Sequence, residues 1–174
     1  MRETSTHIYF YKGFLSNFVP KDLSIHFDHN IFTNSEQIFM YLKARYFNDQ
    51  ESADKIVGEG KEPRIARNLG QLVKNYSDKE WFKVREGMMF KACYLKFNSN
   101  EELKNKLLNT GNKTLVEASP TDQYWGVRLV ETDDRILDEK NWKGQNLLGK
   151  VLMKVRDKLK LEQIQINNLK INYL

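Results

Sequence analysis

Glu36 and Lys43 stand seven positions apart in Ser35-Glu36-Gln37-Ile38-Phe39-Met40-Tyr41-Leu42-Lys43-Ala44. On a helix, seven steps of about 100° make nearly two full turns, so the pair shares one face about 10 Å apart along the axis. Their aromatic and aliphatic neighbours would take both groups partly out of water. Desolvation makes a lysine amine a usable nucleophile and lets a glutamate hold a proton for transfer. The competing reading is an outward stripe on which both charges lie in water, where charges usually are.

A second constellation is Leu115-Val116-Glu117-Ala118-Ser119-Pro120-Thr121-Asp122-Gln123-Tyr124-Trp125-Gly126. A short apolar strand delivers a loop bearing Asp122, and two aromatic residues follow at once. A carboxylate beside a large ring suits a site that stacks a base or sugar while positive charge develops. The alternative is an Asx-type turn at Asp122, with Trp125 as a core anchor. A third is Gly144-Gln145-Asn146-Leu147-Leu148-Gly149, small residues at a helix start, where free N–H groups and the macrodipole favour an anion. A tight turn into the helix explains it equally. Arg67, in Arg64-Ile65-Ala66-Arg67-Asn68-Leu69-Gly70, would suit a phosphate or be a plain surface arginine.

Other chemistries find little support. His7, His26 and His29 lie on strand-like or turn-like segments without a carboxylate partner at helical spacing. P-loop, GxSxG and GxGxxG signatures are missing. Cys93, the single cysteine, falls inside a helical stretch and reads as a packed thiol; alone it builds neither a disulfide framework nor a multi-cysteine zinc site.

The elements that must position these groups follow from the pattern. Ile8-Tyr9-Phe10-Tyr11 is a strand, and Leu23 to Phe27 with Ile31-Phe32 form a hairpin across Asp28-His29-Asn30. Helices are predicted from Asn34 or Ser35 to about Phe47, around Ser52–Val57, from Pro63 to Leu69, from Ser77 to about Phe97, from Asn100 through Leu108, and from near Asn146 onward. In the long fourth helix, Trp81, Val84, Met88, Ala92 and Leu95 make the core stripe. The fold class is α+β, one compact and mostly helical domain.

The chain has 174 residues, 40% apolar and 29% charged, with three prolines, which fits one globular domain. No window approaches the roughly 20 apolar residues of a membrane span. The start, Met1-Arg2-Glu3-Thr4-Ser5-Thr6, lacks a secretory pattern, so a soluble, cytoplasmic protein is expected. The net charge of +5 suits a phosphate-bearing ligand or nucleic acid, but acidic and basic residues alternate without a basic block.

Taken in order, the motifs resemble the NADAR family of YbiA-like proteins across about residues 8–160. They are Phe14-Leu15-Ser16-Asn17-Phe18, Ser35-Glu36-Gln37 with Lys43-Ala44, Ala66-Arg67-Asn68-Leu69-Gly70, Trp81 with Arg85-Glu86-Gly87-Met88-Met89, Lys96-Phe97, and Leu107 to Gly111. Most diagnostic are Leu115 to Asp122 with Tyr124-Trp125-Gly126, and Gly144 to Gly149 with Leu152 to Arg156. The resemblance implies an N-glycosidase that cleaves the C–N bond between a ribose anomeric carbon and a base or amine. Its substrates would be ADP-ribosylated guanine or phosphoribosylamino-pyrimidine intermediates of riboflavin biosynthesis. No metal and no cofactor are implied. By matched position, Glu36, Lys43 and Asp122 become catalytic candidates. Asn17, Phe18, Trp81, Trp125 and Asn146 become substrate-binding candidates, and Arg67 a phosphate contact.

The chain departs from the family pattern at Gln37, where histidine is usual, at Gln71, where arginine is common, and after Gly126, where a longer acidic stretch follows. These changes bear on substrate preference. The tail, residues 161–174, lies beyond the resemblance; Ile164, Ile166, Leu169 and Ile171 there point to an added strand, a dimer contact or a frayed end. A non-catalytic ADP-ribose or NAD-binding module is the alternative function, and charge-driven nucleic-acid binding a weaker third.

Overall fold

The computed structural model describes residues 1–171. Strand β1 (Arg2–Glu3) is followed by β2 (His7–Phe10), then by a hairpin of β3 (Ile25–Phe27) and β4 (Asn30–Phe32). Asp28 and His29 carry φ of 50° and 60°, the left-handed pair that a two-residue hairpin turn needs.

Helices then dominate: α1 (Ser35–Tyr46), α2 (Gln50–Glu59), α3 (Pro63–Gln71), α4 (Asp78–Asn98) and α5 (Glu101–Leu108). Each starts where its sequence supplies the chemistry. Asn34, Asp49, Ser77 and Asn100 accept side-chain hydrogen bonds from the first turns of α1, α2, α4 and α5, and Pro63 opens α3. Strand β5 (Thr114–Glu117), two short 3₁₀ turns (Asp134–Leu137 and Glu139–Asn141) and α6 (Leu147–Ile171) complete the chain.

The first sheet has the order β1-β2-β5. β1 runs antiparallel to β2, and β2 runs parallel to β5 with Phe10 opposite Glu117. Parallel neighbours need a long crossover, and here the hairpin and five helices fill it. α1 is the hub, packed against α2, α3 and α4, while α6 lies on α4 and β5. Enclosed on several sides, α1 is buried from Ser35 through Leu42 and again at Ala44. That central position draws Glu36 into the interior.

Residues 127–142 cover the other side of the β2–β5 pair. Val127, Leu129 and Ile136 cluster with Tyr9, Val116 and Ala118, and Trp142 packs on them. Met1 and Arg2 are tied to Glu131 and Asp134. The acidic stretch is thus a cover for the sheet.

Two expectations are corrected here. Val84, Met88 and Leu95 are only half-buried; Arg85, Met89, Cys93, Lys96 and Phe97 lie deeper, because α4 packs on both α1 and α6. The added strand in the tail does not form: residues 161–171 continue α6, with Ile164, Ile166 and Leu169 exposed, and residues 172–174 lie outside the described residues.

Candidate active site

Glu36, in the first turn of α1, is buried with its carboxyl facing the Gly13–Val19 loop. Asn17 Nδ2 approaches Glu36 Oε2 at 3.4 Å and Met89 Sδ at 2.9 Å. Asn17 is itself held by Ser35 Oγ, which lies 3.2 Å from both its backbone and side-chain oxygens, and by Cys93 Sγ at 3.5 Å. Burial pushes the Glu36 carboxyl up to about 7; Arg67 and the Asn17 amide oppose the rise, and the nearby Asp122 adds to it. A carboxyl poised near neutrality suits proton transfer.

The loop carrying Asn17 is anchored from below. Lys96, fully buried on α4, donates to the carbonyls of Phe14 (2.8 Å), Ser16 (2.7 Å) and Val19 (2.5 Å). Three acceptors around one ammonium fix the loop without a carboxylate partner.

Asp122 heads an Asx turn, accepting from the backbone N–H groups of Tyr124 and Trp125 at 2.8 Å each. The turn holds Trp125 edge-on to Phe39, with ring centroids 5.5 Å apart. Trp125 is partly buried against the core and Tyr124 is exposed. Beside Asp122, at the end of β5, Glu117 is buried and its Oε2 has no hydrogen-bond partner. Burial first, then the charges of Asp122 and Glu131, push its carboxyl up to about 9. Glu36 and Glu117 therefore both feel the Asp122 carboxylate.

Lys43 marks the other end of the α1 stripe. It is half-buried, its Nζ 2.8 Å from the Gly70 carbonyl oxygen and 4.1 Å from the centre of the Tyr76 ring. A Cβ at Gly70 would collide with Met40, so glycine lets α3 close on α1 and present this carbonyl. Burial lowers the Lys43 pKa, and the charge that opposes this is Asp78. Glu36 is not among the charges acting on it; the two side chains take separate ends of the stripe, with Phe39 between them in sequence. Trp81 packs on Phe39, Tyr46 and Phe47, with its ring centre 6.0 Å from Lys43 Nζ.

The remaining candidates separate. Phe18 is half-buried beside Asn17, and Arg67 is exposed on α3 yet close enough to act on Glu36. Asn146 is buried and turned to the β5 backbone: its Oδ1 accepts from Glu117 N at 3.0 Å and its Nδ2 donates to the Leu115 carbonyl at 2.9 Å. The N–H groups of Gln145, Asn146, Leu147 and Leu148 donate to the carbonyls of Gln123, Gly126, Tyr124 and Trp125. The anion expected at this helix start has no free donor among those four. A Cβ at Gly144 or Gly149 would strike the backbone of Gly126 or Leu115, so these glycines serve close packing. Among the described residues, no group of three His, Cys, Asp or Glu side chains is placed to hold a metal ion.

Comparison with known proteins gives this arrangement a family. The NADAR domain profile matches residues 5–160. The chain belongs to the NADAR domain family. It is 40% identical to N-glycosidase R617 of Acanthamoeba polyphaga mimivirus over 126 residues, covering 72% of this chain and 74% of that protein. It is 31% identical to N-glycosidase YbiA of Escherichia coli strain K12 over 151 residues, covering 87% and 84%. Protein irg-1 of Caenorhabditis elegans is 42% identical over 130 residues, 74% of this chain and 61% of that protein. The NMR structure of the E. coli protein YbiA superimposes with a TM-score of 0.73 at 30% identity, covering 94% of this chain and 90% of that one. The names of the viral and bacterial relatives support an N-glycosidase enzyme here.

Within this NADAR domain, sequence reasoning passed over Glu117 and Arg85 as site residues. Glu117 carried one signal: a lone acid closing the apolar run Leu115-Val116. Arg85 carried another, midway between Trp81 and Met89 on one helical face. The Gln37 departure falls outside the carboxyl cluster. Its side chain is buried, accepting from Thr33 N and donating to the Ile56 carbonyl, which ties α1 to the end of α2. Gln71, the other departure, is exposed at the end of α3. Among the described residues, no helix is long and apolar enough to cross a membrane.

Proposed function

We propose that this NADAR domain hydrolyses the N-glycosidic bond between a ribose anomeric carbon and the exocyclic amine of a base, on ADP-ribosylated guanine or a phosphoribosylamino-pyrimidine. A cytoplasmic setting belongs to the same proposal. The observation that carries it is the pair of buried carboxyls, Glu36 near 7 and Glu117 near 9, both acted on by the charge of Asp122, whose loop also carries Tyr124 and Trp125. Two carboxyls of different proton affinity are what an acid–base reaction at an anomeric centre requires.

Lys43 is the nucleophile in this reading. When the ribose ring opens, its C1 and the substrate nitrogen form an imine. The neutral Lys43 amine adds to C1, a proton passes to the substrate nitrogen, and the C–N bond breaks to release the base. The lysine imine left behind takes up water, and C1 departs as the ribose aldehyde while the amine is regenerated. Glu36 moves the protons and holds a ribose hydroxyl. Asp122 stabilises the positive charge that develops at C1, and the neutral Glu117 carboxyl protonates the leaving nitrogen.

The aromatic walls would hold the base, with Trp125 stacking on it and Phe18 and Trp81 closing the sides. Asn17 keeps Glu36 in position, and Arg67 contributes positive charge. The test is product-resolved turnover of both substrate classes with sodium borohydride present. A ribosyl adduct on Lys43 together with free base supports the reading. Binding of ADP-ribose without base release would instead make this a recognition module.

A further inference from the structure

Arg85 is 8% exposed, yet its guanidinium makes no hydrogen bond or ion pair among the described residues. Its Nε is sealed from solvent and unpartnered. Buried cations are normally paired, because a charge taken out of water without compensation is costly. Two aromatic rings flank it: the guanidinium carbon lies 4.2 Å from the centre of the Tyr124 ring and 4.4 Å from that of Phe82, both exposed rings.

The position is within the candidate site. On α4, Arg85 follows Trp81 by one turn and precedes Met89 by one, about 6 Å along the axis from the residue that contacts Asn17. Tyr76, which carries Lys43 over its ring, is close enough to Arg85 and Tyr124 to feel both. Arg85 and Lys43 therefore both lie near the Tyr76 ring, two positive charges at one edge of the site. The N–H groups of residues 145–148 at the start of α6 already donate to loop carbonyls, which leaves a substrate phosphate to side-chain cations such as Arg67 and Arg85.

We infer that Arg85 is the residue that takes the phosphate of the ribosylated substrate, its donors meeting the phosphate oxygens while Phe82 and Tyr124 flank the guanidinium. This rests on the N-glycosidase reading and names the substrate class of that site as a phosphate-bearing ribose. The phosphate is either a ribose 5-phosphate monoester or the diphosphate of ADP-ribose. Planar donors recognising phosphate oxygens are the ordinary use of arginine.

The experiment is calorimetric titration of the intact protein with ribose, ribose 5-phosphate and ADP-ribose. Wild type should bind at least one phosphorylated probe about tenfold or more tightly than ribose. Arg85→Met should erase that preference and Arg85→Lys keep part of it. The probe that shows the Arg85 dependence identifies the phosphate source. Should Arg85→Met fail to fold, the ¹⁵Nε–¹H resonance of Arg85 in wild type, assigned by its loss in Arg85→Lys, should move on adding the same probe. A wild type without phosphate preference, an unchanged affinity in folded Arg85→Met, or a resonance that does not move would overturn the inference. Base release that persists alongside any of these leaves the N-glycosidase reading intact. Arg85-dependent binding without base release sinks that reading alone.

Discussion

The backbone N–H of Glu117 donates to Asn146 Oδ1 at 3.0 Å, 29 residues away. With the Asn146 Nδ2 bond to Leu115 O, this clamps β5 to the start of α6 and fixes where the Glu117 carboxyl sits.

Removing the clamp should cost stability first. Asn146→Ala leaves a buried N–H and a buried carbonyl without partners, each worth roughly 1–3 kcal/mol. Urea denaturation should therefore show a loss of at least about 2 kcal/mol. An unchanged midpoint would mean water or a shifted loop replaces both bonds.

Glu36 should set the pH dependence of turnover. In the folded protein it is protonated below about 7 and ionised above. The limb of kcat that needs its ionised form should rise through that pH. Glu36→Gln should remove the limb and lower kcat by about 10²–10⁴-fold, the usual contribution of a general acid–base group. A wild-type profile flat from pH 5 to 9 would exclude this role.

Glu117 should make the protein less stable as pH rises. Its carboxyl keeps its proton to about 9 when folded, against an ordinary value of 4.5. Between those values the folded chain holds a proton that the unfolded chain has released. The associated stability is present below 4.5 and lost as pH rises through about 9. Glu36 acts in the same sense between 4.5 and about 7. Glu117→Gln stays neutral, so its unfolding free energy should fall less than wild type's between pH 5 and pH 9, by a few kcal/mol. Parallel curves for the two proteins would refute this.

Lys43→Ala should abolish the borohydride-trapped adduct and most turnover, while ribose 5-phosphate or ADP-ribose still binds. Gly70→Ala should act at a distance on the same group. Its added methyl meets Met40 and pushes away the carbonyl that Lys43 contacts, so stability should fall and trapping should slow. Mass spectrometry of the trapped protein checks both. Near-normal turnover in Lys43→Ala would pass the chemistry to Glu36 and Asp122.

Trp125→Ala should weaken substrate binding about tenfold or more, since stacking on a base contributes about 1–3 kcal/mol. Its edge contact with Phe39 means stability falls too. The measurement is therefore affinity per folded molecule. An affinity equal to wild type's would leave Trp125 as a core residue only.

The local chemistry of the chain determined its elements. Caps at Asn34, Ser77 and Asn100, proline at the start of α3 and the Asp28-His29 turn act within a few residues, so their effects are readable in order along the sequence. The ordered motifs likewise pointed to the family. The spacing of Glu36 and Lys43 determined a common stripe, but only packing decided its surroundings. α1 became the buried hub, so Glu36 lost its water and met Asn17 and Asp122 from distant segments, while Lys43 went to Gly70 and Tyr76. Arg85 and Lys96 show the same limit. A hydrophobic pattern discards charged residues, and α4 buries both because α1, α6 and the Gly13–Val19 loop close around it. The start of α6 reversed most clearly: its open N–H groups were a fair expectation from local sequence, and the returning 123–126 loop filled them. Long-range contacts, which no local pattern encodes, decided which polar groups were left free to act.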